Sequence, residues 1–214
     1  MNYSQKAHQY ARGVVSGAIP ACKYVYQACA RQLNDLDNPP AGYHFDAVRA
    51  DRVCRFVELC PHIKGPAASR GDLMILEPWQ VFVLSTAFGW VDAEGNRRFR
   101  RVYVEVPRGN GKSSFSSPVG LYMLALDGEA GAEVYSAATT RDQARIVFRD
   151  AQAMARKMPG YRNRFGVDVT AQAIVQLKSS SAFKALSAEG HTLDGLNIHC
   201  LLYTSPSPRD LSTS

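Results

Sequence analysis

The 214-residue sequence is informative first for what it lacks. It has no Cys-x-x-Cys pair. Its five cysteines, Cys22, Cys29, Cys54, Cys60 and Cys200, are odd in number, in a chain large enough to be held by its core. Neither a disulfide scaffold nor a cysteine zinc site is indicated. Cys22 and Cys29 stand seven apart, which on a helix places both on one face and reads as buried thiols. The five histidines complete no ligand cluster. The longest uncharged stretches, Pro78 to Val91 among them, fall short of the roughly 20 apolar residues that a helical span needs. Lys6, His8 and Arg12 interrupt anything like a signal peptide. There is no large excess of one charge: Lys+Arg 25 against Asp+Glu 19 leaves +6, with a pI near 9.1. That balance permits attraction to polyanions without requiring it. A soluble protein of a reducing compartment is expected.

Hydrophobic residues make up 46% and charged residues 21%, enough for a packed core and contrary to disorder. The first sixty residues read as helices: one capped by Ser4 and ending near Gly17, one from Pro20 to about Leu36, and a third from Asp46. The third carries Val53, Phe56, Val57 and Cys60 at i, i+3, i+4, i+7. Pro61 to Gly71 reads as a loop, and Pro78 opens a short helix. An alternating strand follows the turn at Asp92–Asn96, from Arg101 to Val106, with Val102, Val104 and Val106 on one face. Beyond a glycine-containing loop, Lys112 to about Leu126 is helical and Ala132–Ala137 is a strand. Thr139 and Thr140 are cap candidates for a long helix lined by Ala144, Val147, Phe148, Ala151, Met154, Ala155 and Met158. Short β pieces are expected at Val167–Thr170, Ile174–Lys178 and Phe183–Leu186, and a last strand from about Ile198. Strand and helix in alternation, with short connections, is the pattern of a parallel α/β sheet.

The central chemical signal is Val106-Pro-Arg-Gly-Asn-Gly-Lys-Ser-Ser114. A phosphate-binding loop needs backbone N–H groups turned inward around phosphate oxygens, and glycine permits the unusual dihedrals. Gly109 and Gly111 supply that freedom, Lys112 brings charge to the outer phosphates, and the Ser113 hydroxyl suits Mg²⁺. The following helix turns its N-terminal dipole toward the anion. The match is partial, because the place five before the second glycine holds Val106 where a small residue is usual. The context of a strand before and a helix after supports it.

Several separated segments resemble the large terminase subunit of tailed phages. They are Leu76-Glu-Pro-Trp-Gln80, Phe88-Gly-Trp90, Arg97-Arg-Phe-Arg-Arg-Val-Tyr-Val104, the phosphate loop, Ala137-Ala-Thr-Thr-Arg-Asp-Gln-Ala144 and Asp194-Gly-Leu-Asn197, in that order from about residue 5 to 200. The resemblance implies a P-loop NTPase of α/β class, a parallel sheet flanked by helices after a helical N-terminal extension. It also implies an ATPase motor that drives double-stranded DNA into a procapsid, with ATP and Mg²⁺. The implied partners are DNA, the portal protein, a small terminase subunit and further copies in a ring, with no membrane, in the cytoplasm of the infected bacterial host.

Carried over by residue, Lys112 and Arg108 are the catalytic candidates, Arg108 matching a basic residue that contacts or senses the γ-phosphate. Gln80 matches the glutamine that reads the adenine edge, which an amide suits because it donates and accepts together; alone it would read as a solvated amide. Arg108, Gly109, Asn110, Gly111, Lys112, Ser113 and Ser114 complete the nucleotide set, with Ser113 the metal ligand. Thr139, Thr140 and Gln143 match a helicase-like segment and equally suit a helix start. Arg97, Arg98, Arg100 and Arg101 read either as a solvated flank or as phosphate contacts.

The resemblance also implies an Asp-Glu pair at the end of the strand that begins Ile198-His-Cys-Leu-Leu-Tyr203. Here Thr204 and Ser205 stand near that place, and Asp210 is the sole acid in the Ser/Pro-rich remainder. The ending resembles translated adaptor sequence, so residues 1–75 read as a helical region, 76–203 as a partial ATPase domain and 204–214 as a non-native tail. On that expectation the chain is a fragment lacking the Walker B acids and a nuclease, inactive in hydrolysis by itself, unless Asp127, Glu189 or Asp194 serves. A helicase-like DNA-dependent ATPase and a nucleotide-binding module without hydrolysis are the alternatives.

Overall fold

The computed structural model describes residues 2–107, 109–186 and 198–204. Two compact units divide the chain: Met1–Glu58 with Ile75–Val104, and Leu59–Met74 with Glu105–Ser214.

The first unit is mainly helical. Helix α1 (Tyr3–Val15) is capped by Asn2 and not by Ser4. The Asn2 side chain accepts from the Gln5 N–H at 2.9 Å while the Asn2 N–H donates to Gln5 Oε1 at 3.3 Å, a reciprocal box that places the cap two residues earlier. Helix α2 (Lys23–Asp37) begins after Pro20, with Cys22 at its N-cap. Cys22 is therefore exposed while Cys29 is buried, so the shared buried face expected of them does not form. Burial pushes the Cys29 thiol up to about 11 and those of Cys54 and Cys60 up to about 12. That makes all three poor nucleophiles.

Strand β1 (Tyr43–Phe45) leads into α3 (Ala47–Glu58), whose first N–H groups, of Val48 and Arg49, are held by Asp46 at 2.9 and 3.0 Å. Val53, Phe56 and Val57 point into the core as the periodicity requires, and Cys60 lies past the helix end. Helix α5 (Pro78–Gly89) runs into β2 (Trp90–Asp92), which pairs antiparallel with β1. The periodicity gave no warning of that pair, because strands of three residues are too short to show alternation. Fully buried Trp90 donates its indole N–H to Gln32 at 2.8 Å.

In the second unit the stretch expected to be loop contains a one-and-a-half-turn helix, α4 (Gly65–Arg70), opened by a proline in its first turn and closed by left-handed Gly71. The remaining elements are α6 (Lys112–Ala125), β3 (Glu133–Ala138), α7 (Arg141–Lys157), α8 (Pro159–Phe165), β4 (Val167–Val169), β5 (Ile174–Gln176), β6 (Ser181–Ala185) and β7 (Ile198–Thr204). Pro159 thus ends one helix and starts another. The sheet order is β4-β5-β6-β3-β7. β3 is parallel to β6 and to β7, while β5 is antiparallel to both β4 and β6. Four of the five strands consequently run one way, and β5 alone opposes them.

The expected strand at Arg101–Val106 is absent: that segment lies outside every ladder, with Val102 54% and Tyr103 86% exposed. Alternation marks a sequence able to pair, but pairing also needs a neighbour in register, which no local pattern supplies.

Helices α6 and α7 lie side by side on one face of the sheet. Phe183 of β6 touches both, packing edge-on against Phe148 of α7 at 5.6 Å and lying under Gly120 of α6. A Cβ at Gly120 would stand 2.6 Å from the Phe183 ring and 3.0 Å from Leu202, so α6 comes as close to the sheet as it does because residue 120 has no side chain.

Candidate nucleotide site

The direction of α6 places its N-terminus. At its far end Asp127 meets His199, near the start of β7, at 2.8 Å, while mid-helix Gly120 lies over Leu202. The helix therefore runs opposite to β7. Its first turn comes to the carboxyl end of the parallel strands, where open α/β sheets bind ligands.

Gly111 is the N-cap of α6, with φ 70° and ψ 22°, and Gly109 has φ 85°. Both are left-handed, a conformation that costs glycine little. A Cβ on either would meet nothing within 4 Å, so the turn is open above its backbone. No side chain caps α6 and no acid stands in its first turn. Its leading N–H groups are therefore not engaged by a cap, and the positive end of the helix dipole is not offset. Lys112 donates its ammonium to the Val106 carbonyl at 3.0 Å, which keeps that charge over the loop. The Asn110 amide closes the turn on the Pro107 carbonyl at 3.1 Å. Lys112, Ser113 and Ser114 are half-buried. Arg108 lies outside the described residues.

One level down, Ser117 contacts the Ser113 carbonyl at 2.7 Å and the Val147 carbonyl at 2.9 Å, tying the phosphate-loop helix to α7. Sequence reasoning missed it, although a small hydroxyl four residues after Ser113 was the available signal.

Thr139 and Thr140 follow the carboxyl end of β3. Thr140 caps α7 by accepting from the Gln143 N–H at 3.3 Å, and Thr139 donates to the Gln143 side-chain oxygen at 3.0 Å. The two threonines and Gln143 thus form a helix start at the sheet's carboxyl end, with the Thr139 hydroxyl and the Gln143 amide held together.

Gln80 belongs to the first unit. There its side-chain oxygen accepts from the Glu77 N–H at 2.9 Å, completing a capping box at the start of α5, and the residue is buried at 9% exposure. It is not a solvated amide. Of the arginine cluster, Arg98 joins the first unit's core, 2.6 Å from buried Asp35 and over the Trp90 ring, and Arg97 lies over Phe88. Arg100 and Arg101 are exposed.

No acid stands on β7, and among the described residues no group of three or more His, Cys, Asp or Glu is placed to hold a metal. Asp127, a possible substitute, sits at the opposite end of α6 from the loop. Glu189 and Asp194 lie outside the described residues.

A largely parallel sheet, with a glycine turn and a lysine at a helix N-terminus on its carboxyl edge, defines an α/β protein of the P-loop class. The model of the family described as the terminase large subunit, ATPase domain, matches residues 78–203, and the chain belongs to that family. Among solved structures it is similar to the large terminase of bacteriophage HK97, at 25% identity and a TM-score of 0.59 over 72% of this chain. That match spans 30% of the HK97 protein. No curated protein sequence matches significantly.

Proposed function

We propose that this chain is the ATP-binding motor portion of a terminase large subunit, which in the intact motor couples ATP hydrolysis to movement of double-stranded DNA into a procapsid. The observation that carries the reading is the uncapped N-terminus of α6 at the sheet's carboxyl edge, with Lys112 over a turn of two left-handed glycines. The β- and γ-phosphates lie against the N–H groups of Gly109–Ser114, with Lys112 neutralising their outer charge. Arg108 supplies a second cation to the γ-phosphate. Such a turn suits phosphate chemically, since it offers donors and a cation and no competing carboxylate in the first turn of the helix. The Ser113 hydroxyl would hold Mg²⁺, whose charge, when bound, offsets that of the phosphates; a metal shared with phosphates needs few protein ligands. Gln80 offers its amide to the adenine edge while its oxygen keeps the α5 cap.

Family membership supports the remaining parts of the reading. Residues 1–75 form a helical extension and 76–203 the ATPase domain, with 204–214 outside it. The partners are duplex DNA, the portal protein, a small terminase subunit and further copies of the chain in a ring, in the cytoplasm of the infected host. A second reading, nucleotide binding without hydrolysis, is favoured for the 214-residue chain by the lack of any acid on β7.

The test is calorimetric titration with ATP and Mg²⁺. Lys112→Ala removes a charge-assisted contact of about 1.5–3 kcal/mol, so affinity should fall roughly tenfold to a hundredfold. Equal affinities for the two proteins would remove the phosphate-loop assignment.

A further inference from the structure

Helix α7 carries a line of long polar side chains along the flank of its buried face. Its buried positions, Ala144, Val147, Phe148, Ala151, Met154 and Ala155, follow the helical repeat. Along the edge of that face Arg145, Arg149, Gln152 and Arg156 succeed one another at intervals of four, three and four residues, which brings them into one line, with Gln152 buried. That line runs roughly 16 Å along the helix axis. Arg149 and Arg156 are exposed and Arg145 half-buried. Neither Arg145 nor Arg149 is paired with a carboxylate among the described residues. Of the acids nearest in sequence, Asp150 is buried and already held by Lys64 at 2.7 Å, while Asp142, three residues before Arg145, is exposed in the first turn of α7 and forms no ion pair with it among the described residues.

The two arginines form one wall of a groove of about 520 Å³. Its other wall is the β4–β5 turn at Ala171 and Gln172, and its apolar surfaces come from Phe148, Ala185 and Leu186. The turn is fixed in place. Gln152 donates to the Thr170 carbonyl at 2.6 Å, and Thr170 closes the hairpin on Ala173 through both backbone and hydroxyl. These hydrogen bonds hold the groove's second wall in place. Since Ala185 ends β6, and β6 is parallel to β3, it opens at the same edge of the sheet as the phosphate loop.

We propose that this groove is a docking surface for the phosphodiester backbone of duplex DNA, with Arg145 and Arg149 contacting neighbouring phosphates. Four residues on a helix separate the two guanidinium stems by about 6 Å along the axis. Guanidinium forks match phosphate oxygens in pairs of hydrogen bonds. The apolar surfaces between them suit deoxyribose faces, which an acidic peptide does not present. Contacts of this kind position a duplex and read no sequence, as a translocating enzyme requires. The proposal rests on the motor reading above and adds to it the surface that touches DNA.

The experiment is fluorescence anisotropy of a labelled duplex titrated with the 214-residue chain over a range of salt concentrations. Arg145→Ala/Arg149→Ala should weaken binding at least about tenfold at low salt. It should also lower the slope of log K against log salt by about 1.8, two contacts at roughly 0.9 each. Arg145→Lys/Arg149→Lys should restore most of the slope, and fluorescent ATP binding should be the same in all three proteins, which reports that each is folded. An equal loss from Arg100→Ala/Arg101→Ala, which removes the same charge elsewhere, would overturn the proposal. So would displacement of the duplex by polyglutamate at matched charge, which would assign the groove to an acidic protein. Duplex binding that ignores the arginine substitutions overturns the groove and leaves the motor reading standing. Absence of duplex binding by the unmodified chain also overturns it, while Lys112-dependent ATP binding reports separately on the phosphate loop.

Discussion

Gly120→Ala tests the packing that sets where α6 lies. In an ordinary helix interior this change adds about 0.5–1 kcal/mol of stability, because glycine loses more backbone freedom on folding. At Gly120 the new methyl would stand 2.6 and 2.9 Å from two atoms of the Phe183 ring and 3.0 Å from a Leu202 methyl. Carbon atoms prefer about 3.5–4.0 Å, so the ring must retreat by about 1 Å. Phe183 is fully buried and also set edge-on against Phe148, which limits where it can go. Overpacking of this kind costs about 1–3 kcal/mol, and the confinement of Phe183 puts Gly120 in the upper part of that range, about 2–3, so that after a helix gain of about 1 kcal/mol a net loss of about 1–2 kcal/mol remains. With a urea slope of about 2 kcal/mol per molar, the unfolding midpoint should drop by roughly half a molar to one molar. Urea denaturation followed by far-ultraviolet circular dichroism measures it. Gly160→Ala is the control, since a methyl there meets nothing within 4 Å. Should Gly120→Ala leave the midpoint unchanged or raise it, the contact between α6 and the sheet is looser than argued, and the glycine has no packing role.

Two further outcomes are expected. Gln80→Glu keeps an oxygen for the Glu77 N–H, and so the α5 cap, but cannot donate to adenine; ATP affinity should fall relative to GTP, with some loss of melting temperature from a second carboxylate beside Glu77. A constant ATP-to-GTP ratio would leave Gln80 a capping residue only. Phosphate release by the 214-residue chain should not exceed that of Lys112→Ala, because β7 carries no acid and Asp127 lies at the wrong end of α6. Hydrolysis needs groups that orient the attacking water. Turnover well above the Lys112→Ala rate would locate such a group elsewhere in the chain.

What was legible in the sequence was local. The start of α6 at Lys112 and the Thr140 cap follow from residues within one turn of each other. The buried face of α7 follows from a single repeat. The loop at Gly109–Ser114 was readable for the same reason, since glycine freedom, lysine charge and a helix N-terminus are properties of adjacent residues. The misses were non-local. Arg101–Val106 has a strand's alternation but joins no ladder, and β1 and β2 find each other across Ala47–Gly89 with three residues apiece. Cys22 and Cys29 fail to share a face because Cys22 sits on the cap, before the helical repeat begins. Gln80 reads in the sequence as a reader of adenine or as a solvated amide, whereas its spacing from Glu77 makes a capping box.

The last strand of the sheet has a consequence for handling the chain in solution. β7 has a partner only on its β3 side among the described residues, and Ile198, Leu201 and Tyr203 along it are 40%, 48% and 58% exposed. A strand edge of this sort presents unspent backbone donors and acceptors beside apolar side chains, and another chain can add to it as readily as a native neighbour. The rate of such pairing rises with the square of protein concentration, whereas folding of the single chain does not depend on concentration at all. Dilution therefore favours the monomer, and a short peptide offering a complementary strand would compete for the same edge.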